Sequence, residues 1–543
     1  MDVGDPIHAL HAISRTFGKT AAWRKGRLLK EIAKTKRFRA RDLLVLHDTL
    51  DFMRAYPDDA DVRRRVLDQA ARLREHAGPA RLKNTGFPGS TNSYAYSYGV
   101  LQQMVRLFPG SLEVDWEDVA EEQPLLDALE LLVTPGENQG LEDIRLTLRD
   151  WLDRCKTVPG QTDLEFLLDL FDRSPLPPQA RVHLFEKCDL PVRYDLRVPG
   201  TGRCEVSWPA GTIHHQKRDI ARERFQLAPR IRRPIGVLET LDGPTGATLV
   251  GRSLAALCSR NLEIYPLIYA NSRDVSYARC GRGLHLALVG VQPEFRSPLE
   301  SLYFFLLLKN GVPIAYGPAS VFAGCCEMGI NLFPEFRGGE IRHLYAQFMR
   351  VLHHHLGVEY FFLTSYGMGE GNEDAIRSGA FWFYRKLGFR AANPEVEALA
   401  RTEEARMHAE PGYRSDRRML RRLAPTAAYL DLSQGRRTPA DFGKLGILQS
   451  LFLTREFGGD RARGEAQCAA RVARRLGVDR AARATRSLAP LLCMMRGVGK
   501  WRARDRARLA RALKAKDARS EVAAARLFNE HEVFRTALDR LAD

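Results

Sequence analysis

Apolar residues recur every three or four positions through "ARDLLVLHDTLDFMRAY" and "EEQPLLDALELLV". That is the period of helices burying one face, so residues 1–190 are expected to be mainly helical. Between the two runs, "LKNTGFPGSTNSYAYSYGV" is rich in Gly, Ser and Asn and reads as a loop. Residues 191–233 are basic and rich in Gly and Pro, with one short helical run, and read as a connector. The pattern then changes. "PIGVLET", "LEIYPLIYA", "LHLALVGV" and "LYFFLLL" are strand candidates, the last turning through "KNG" into "VPIAYGPASVF" as a hairpin. A strand through Glu327 to Phe333, a helix over about 339–356, the strand "VEYFFLTS" and a helix ending at "YRKLGF" complete residues 234–425. Helical periodicity returns over 426–543, where "WRARDRARLARALKAKDARSEVAAARLF" reads as an Arg/Ala helix with a thin apolar stripe. The fold class is therefore α/β: a central mixed sheet with flanking helices, plus mainly helical N- and C-terminal regions.

Composition narrows the function classes. A chain of 543 residues calls for several structural units, and its formal charge of +17 favours polyanionic partners, nucleic acid or tRNA among them. The nine cysteines include the adjacent Cys325 and Cys326 but no CxxC. Reduced thiols, a cytoplasmic location and no metal site are expected. His214 and His215 lack a third ligand nearby, and consecutive His353, His354 and His355 diverge by about 100° on a helix, so neither group suits a metal. The start "MDVGDPIHAL" has no apolar core and no later stretch is apolar enough to span a membrane.

The chemistry concentrates in "NLFPEFRGGEIRHLYAQFM" (residues 331–349), a strand, an Arg-Gly turn and a helix. Such a turn leaves backbone N–H groups unpaired at the positive end of the helix dipole and suits an anion. Ile341, Leu344, Tyr345, Phe348, Val351 and Leu352 form the face that packs on the sheet. In the next helix Gly379 and Ala380 would permit close approach of a neighbour, and Gly388 is the expected C-cap. "LETLDGPTGATLVGR" is a second strand, turn and helix with Thr245 and Thr248, but it lacks a Gly-Lys-Ser/Thr ending and reads as a plain turn and N-cap.

"LKNGVPIAYG", "NLFPEFRGGE" and "GAFWFYRKLGF" resemble the central hairpin, the pyrophosphate-loop strand and the closing helix of the GNAT superfamily, the Gcn5-related N-acyltransferases, over residues 300–392. The resemblance implies two splayed strands that admit acetyl-CoA or another acyl-CoA, and direct attack of an amine acceptor on the thioester. It places Phe333, Arg337, Gly338, Gly339, Glu340, Ile341 and Arg342 around the pyrophosphate and Tyr384 at the departing thiolate. The family pattern, Arg/Gln, two residues, Gly, one residue, Gly/Ala, fails here at Glu340 and Arg342. A carboxylate at Glu340 would repel phosphate. Glu327 on the loop strand is the candidate base, ahead of Glu370 and Glu373, which suit a first helical turn. Two alternatives keep the fold: a Fem-like aminoacyl transferase using aminoacyl-tRNA, and a non-catalytic scaffold binding nucleic acid or protein.

Overall fold

The computed structural model describes residues 4–76, 80–143, 147–156, 158–220, 225–433, 439–495 and 497–542. The protein is α/β, with two sheets. Helices α1 (Gly4–Ile13), α2 (Lys19–Ile32), α3 (Ala40–Ala55) and α4 (Ala60–Arg72) open the chain. Strands β1 (Thr91–Tyr94), β2 (Leu112–Val114) and β3 (Val192–Asp195) form a small antiparallel sheet in the order β1-β3-β2. The large sheet takes β4 (Val237–Thr240), β5 (Ala270–Gly281), β6 (Leu284–Val291), β7 (Ser301–Lys309), β8 (Val312–Phe322), β9 (Cys325–Met328), β10 (Asn331–Leu332), β11 (Tyr360–Leu363), β12 (Arg390–Ala391) and β13 (Ala428–Asp431). Its order is β12-β13-β11-β9-β8-β7-β6-β5-β4, with β10 also on β8. Among the described strands, only β9 and β11 pair in parallel.

Strands β4, β6, β7, β8 and β11 lie where alternation and turn chemistry put them, whereas β5 follows the stretch expected to be a strand and β13 falls within residues 426–543, expected to be helical. Lys309 pairs with Val312 across the two-residue turn Asn310-Gly311, both at positive φ, as a twisted hairpin requires. The Asn310 amide donates to the carbonyls of Ala55 (2.8 Å) and His214 (2.9 Å), so the hairpin tip is locked into the helical region. The connector crosses the same tip, and a Cβ on Gly311 would lie 2.0 Å from the Trp208 carbonyl oxygen.

Five expectations are corrected. The Gly/Ser/Asn-rich stretch contains β1, a strand without an apolar face, held by the buried Asn92 amide bonded to the Ser259 carbonyl at 3.0 Å. "LEIYPLIYA" contains the short helix Tyr265–Ile268 in place of a strand, because Pro266 lacks a donor for a sheet and suits a first helical turn. The strand expected from Glu327 to Phe333 is divided into β9 and β10. The helix before "KLGF" is two, Glu373–Ser378 and Ala380–Leu387, broken at Gly379 with φ of 69°. A Cβ there would meet nothing, so Gly379 serves backbone conformation rather than close approach. The long Arg/Ala helix is also two, Ala503–Lys516 and Val522–Asn529, because buried Arg296 binds the carbonyls of Lys516, Ala518 and Arg519 in the break.

A continuous core runs from Ile7 through the helical region and the large sheet to Ala525, and a second core joins the C-terminal helices to Phe322 and Ala323. Within the first lies a charged cluster. Glu335, between β10 and the Ile341–Leu356 helix, sits 2.6 Å from Arg260 and 3.5 Å from Arg203. Asp51 and Arg54 of α3 pair at 2.7 Å, and Asp48 accepts from Arg203 at 2.6 Å. Burial by itself raises the Glu335 pKa, but Arg260 and then Arg203 hold it down to about 2. An unfolded glutamate titrates near 4.3, so this stabilisation is complete above that value and is lost as pH falls towards 2. Glu335→Gln leaves the guanidiniums short of an anion and should cost about 3–5 kcal/mol in denaturant unfolding at pH 7. The same variant should lose less stability than the natural protein between pH 4.5 and 2.5.

Candidate active site

The parallel pairing of β9 and β11 covers three positions, Tyr360 with Cys325, Phe361 with Cys326 and Phe362 with Glu327, and then stops. Beyond it, β10 remains on β8 at Tyr316 and Ala315, in unchanged register, while β11 ends at Leu363. β9 and β10 are thus one strand interrupted opposite Pro318, which has no N–H to give to the ladder. Gly317 completes the break. A Cβ there would lie 2.1 Å from the Gly329 carbonyl oxygen, so only glycine admits the displaced backbone.

Two tyrosines meet beside this interruption. Tyr345, on the Ile341–Leu356 helix, is buried, and its hydroxyl lies 2.9 Å from that of Tyr384 on the Ala380–Leu387 helix. The Ile330 backbone N–H faces the Tyr345 oxygen. Burial raises both phenol pKa values, so both hold their protons at neutral pH.

The turn leading to the helix is tightly held from below. Phe333 is buried under the Arg260 guanidinium, 3.9 Å from its ring centre, and stacks on Tyr316. Arg15, in the turn after α1, donates to the Glu335 carbonyl at 2.7 Å and to the Arg337 carbonyl at 2.5 Å. The carbonyls are therefore occupied. Among the described residues, the backbone N–H groups of Gly338, Gly339, Glu340 and Ile341 have no acceptor, and Arg337 and Gly338 are exposed.

Glu340 occupies the N-cap position without capping the helix. Its carboxylate turns inward to the buried Lys309 ammonium, at 2.5 Å, which in turn lies over the Tyr56 ring. Burial lowers the Lys309 pKa, while Glu340 opposes that shift. Arg342 also points away from the turn, bonding the carbonyls of Phe225 and Lys386, and so ties the start of one helix to the end of the other.

Glu327 stands apart from the tyrosines. Phe348 packs on Phe305 at 4.1 Å, and Phe305 is opposite Gly317, so alternation puts Cys326 and Met328 on the helix-covered face. Glu327, opposite Ser320, therefore lies on the other face. The residue is exposed overall, yet partial desolvation of its carboxyl and then nearby Glu300 raise its pKa.

The remaining candidates have structural partners. Glu373 lies in a first helical turn and pairs with Arg421 at 2.9 Å, and Asp242 caps the helix Gly243–Cys258 by accepting from Thr245. His353 and His355 bond the Val358 carbonyl and Ser276 separately. Among the described residues no group of three or more His, Cys, Asp or Glu could hold a metal ion, and no helix is long and apolar enough to cross a membrane.

Sequence reasoning missed Tyr345, counted only as part of an apolar face, and Lys309, Arg15 and Arg260. The Gly317-Pro318 pair carried the one local signal, since both residues weaken a strand interior. The chain matches no protein-family model, no curated protein and no solved structure.

Replacing Gly317 with alanine should cost about 1–3 kcal/mol in thermal or denaturant unfolding, because either Gly329 or the whole of β10 must shift. An unchanged midpoint would mean that the close approach is relieved without loss.

Proposed function

We propose that this protein is a GNAT-like N-acyltransferase that moves an acyl group from acyl-CoA to an amine. The observation that carries the reading is the parting of β9 and β11 after three residue pairs, which leaves unpaired backbone beside the buried Tyr345 and half-buried Tyr384 phenols. A thioester lying in that gap would bring its pyrophosphate to the turn, where the unpaired N–H groups from Gly338 to Ile341, the helix dipole and exposed Arg337 all favour an anion. Glu340 does not oppose this arrangement as its position suggests, since Lys309 neutralises it inside the protein.

The reaction forms one C–N bond and breaks one C–S bond. The amine nitrogen attacks the carbonyl carbon, the ammonium proton passes to Glu327 directly or through water, and the thiolate leaves with a proton from Tyr384. The two hydroxyls lie 2.9 Å apart, and with Tyr345 as the donor the Tyr384 proton is left free for the thiolate. Partial desolvation and Glu300 raise the Glu327 pKa, which makes its carboxylate a stronger base than a solvated glutamate. Its place on the opposite face suits an amine arriving from the side away from the phenols.

Calorimetry with acetyl-CoA and desulfo-CoA tests binding. Saturable binding is expected, weakened at least tenfold by Gly338→Asp, which places a carboxylate at the exposed turn. Tyr384→Phe should lower kcat on the order of 10²-fold with an amine acceptor and leave acyl-CoA affinity nearly unchanged. No binding at millimolar ligand would defeat the proposal.

A further inference from the structure

A different surface carries a dense run of positive charge. From Lys19 to Arg41, through α2 and the segment after it, Lys19, Arg24, Arg27, Lys30, Lys34, Lys36, Arg37, Arg39 and Arg41 are all exposed. The one exposed acid in that stretch is Glu31, 3.7 Å from Arg27. The helix is anchored by its other side, where Ala22, Leu29 and Ile32 are buried and Lys25 is paired with Asp58 at 2.8 Å. Asp42, the next acid along the chain, is buried, and Asp61 of α4 is already bonded by Arg64 and Arg65. Among the described residues Lys19, Arg24, Lys34, Lys36 and Arg37 have no acidic partner.

This face also exposes a large aromatic ring. Trp23 is 64% exposed, on the same side of α2 as Lys19 and Arg27, with the Arg27 guanidinium 5.4 Å from its ring centre. Gly26 follows one turn on, and a Cβ there would meet nothing, so no packing contact calls for glycine at mid-helix. It leaves the flank of the indole open. A solvated helix needs neither an exposed tryptophan nor a glycine, whereas a base stacking on the indole between phosphate-binding cations uses both. The 14 residues of α2 span roughly 20 Å, room for several nucleotides.

We infer that the outer face of α2, continued through Arg41, is a binding surface for single-stranded nucleic acid, with Trp23 stacking on a base and the flanking lysines and arginines tracking the phosphates. The surface is distinct from the turn at Gly338 and does not depend on the acyl-transfer reading.

Fluorescence anisotropy of the full chain with labelled oligouridylate, oligothymidylate and a duplex of equal length tests it. The single strands should bind more tightly than the duplex, quench part of the tryptophan emission and weaken as salt rises; the tighter of the two identifies RNA or DNA as the source. Trp23→Ala, at an exposed site, should leave the melting temperature unchanged and weaken binding at least fivefold, with Trp23→Phe restoring most of it. Lys34→Ala together with Arg37→Ala should reduce the slope of log K against log salt by about 1.4. Absence of binding at low salt, or equal affinity for duplex with no effect of Trp23→Ala, would overturn the inference.

Discussion

A single buried carboxylate, Glu335 between Arg260 and Arg203, fixes the relation on which the candidate site depends. It belongs to the turn that follows β10, while Arg260 follows the Gly243–Cys258 helix and Arg203 comes from the connector. Asp51, Arg54 and Asp48 extend the cluster into α3, giving three anions and three cations among these six residues. Charges removed from water are tolerated only when each has a counter-charge. The turn, the helical N-terminal region and the sheet therefore have one mutually satisfactory arrangement, and a shift of any one strands a charge.

That arrangement sorts the polar groups of the turn. Arg15, 322 residues away from Arg337 in sequence, takes two of its carbonyls, and carbonyls are the groups that would repel a phosphate. The N–H groups from Gly338 to Ile341 are left without an acceptor among the described residues. The same helical region supplies Tyr56 beside Lys309, the ammonium that draws Glu340 inward. The N-terminal helices thus shape the turn as well as covering it.

Much of the sheet was legible from period-two patterning and one Asn-Gly turn, because these are local properties. The overall α/β class follows from them. The division of β9 from β10 was written in Gly317 and Pro318, but on the neighbouring strand, so it becomes visible only once register is known. Tyr345 shows the limit of periodicity: a helical face that is apolar by spacing carries a hydroxyl, and only its meeting with Tyr384 gives that hydroxyl a role. Arg15 and Arg260 left no local signal, since an arginine that binds a distant carbonyl or carboxylate resembles any surface arginine until the chain is folded.

Glu340 is the sharpest case. Read along the chain, it spoils a phosphate turn and turns attention towards a donor other than acyl-CoA. In the folded protein the departure from a small residue is matched by a second departure, a lysine at the end of β7 whose ammonium is also buried. Neither residue is tolerable alone in that environment, because each would leave an unpaired charge away from water. Together they place no net charge at the turn, and Gly338, one of two glycines just before Glu340, adopts a φ of 81° on the exposed side. Whether a residue opposes an anion is decided by where its charge is neutralised, and here that depends on a side chain 31 positions away.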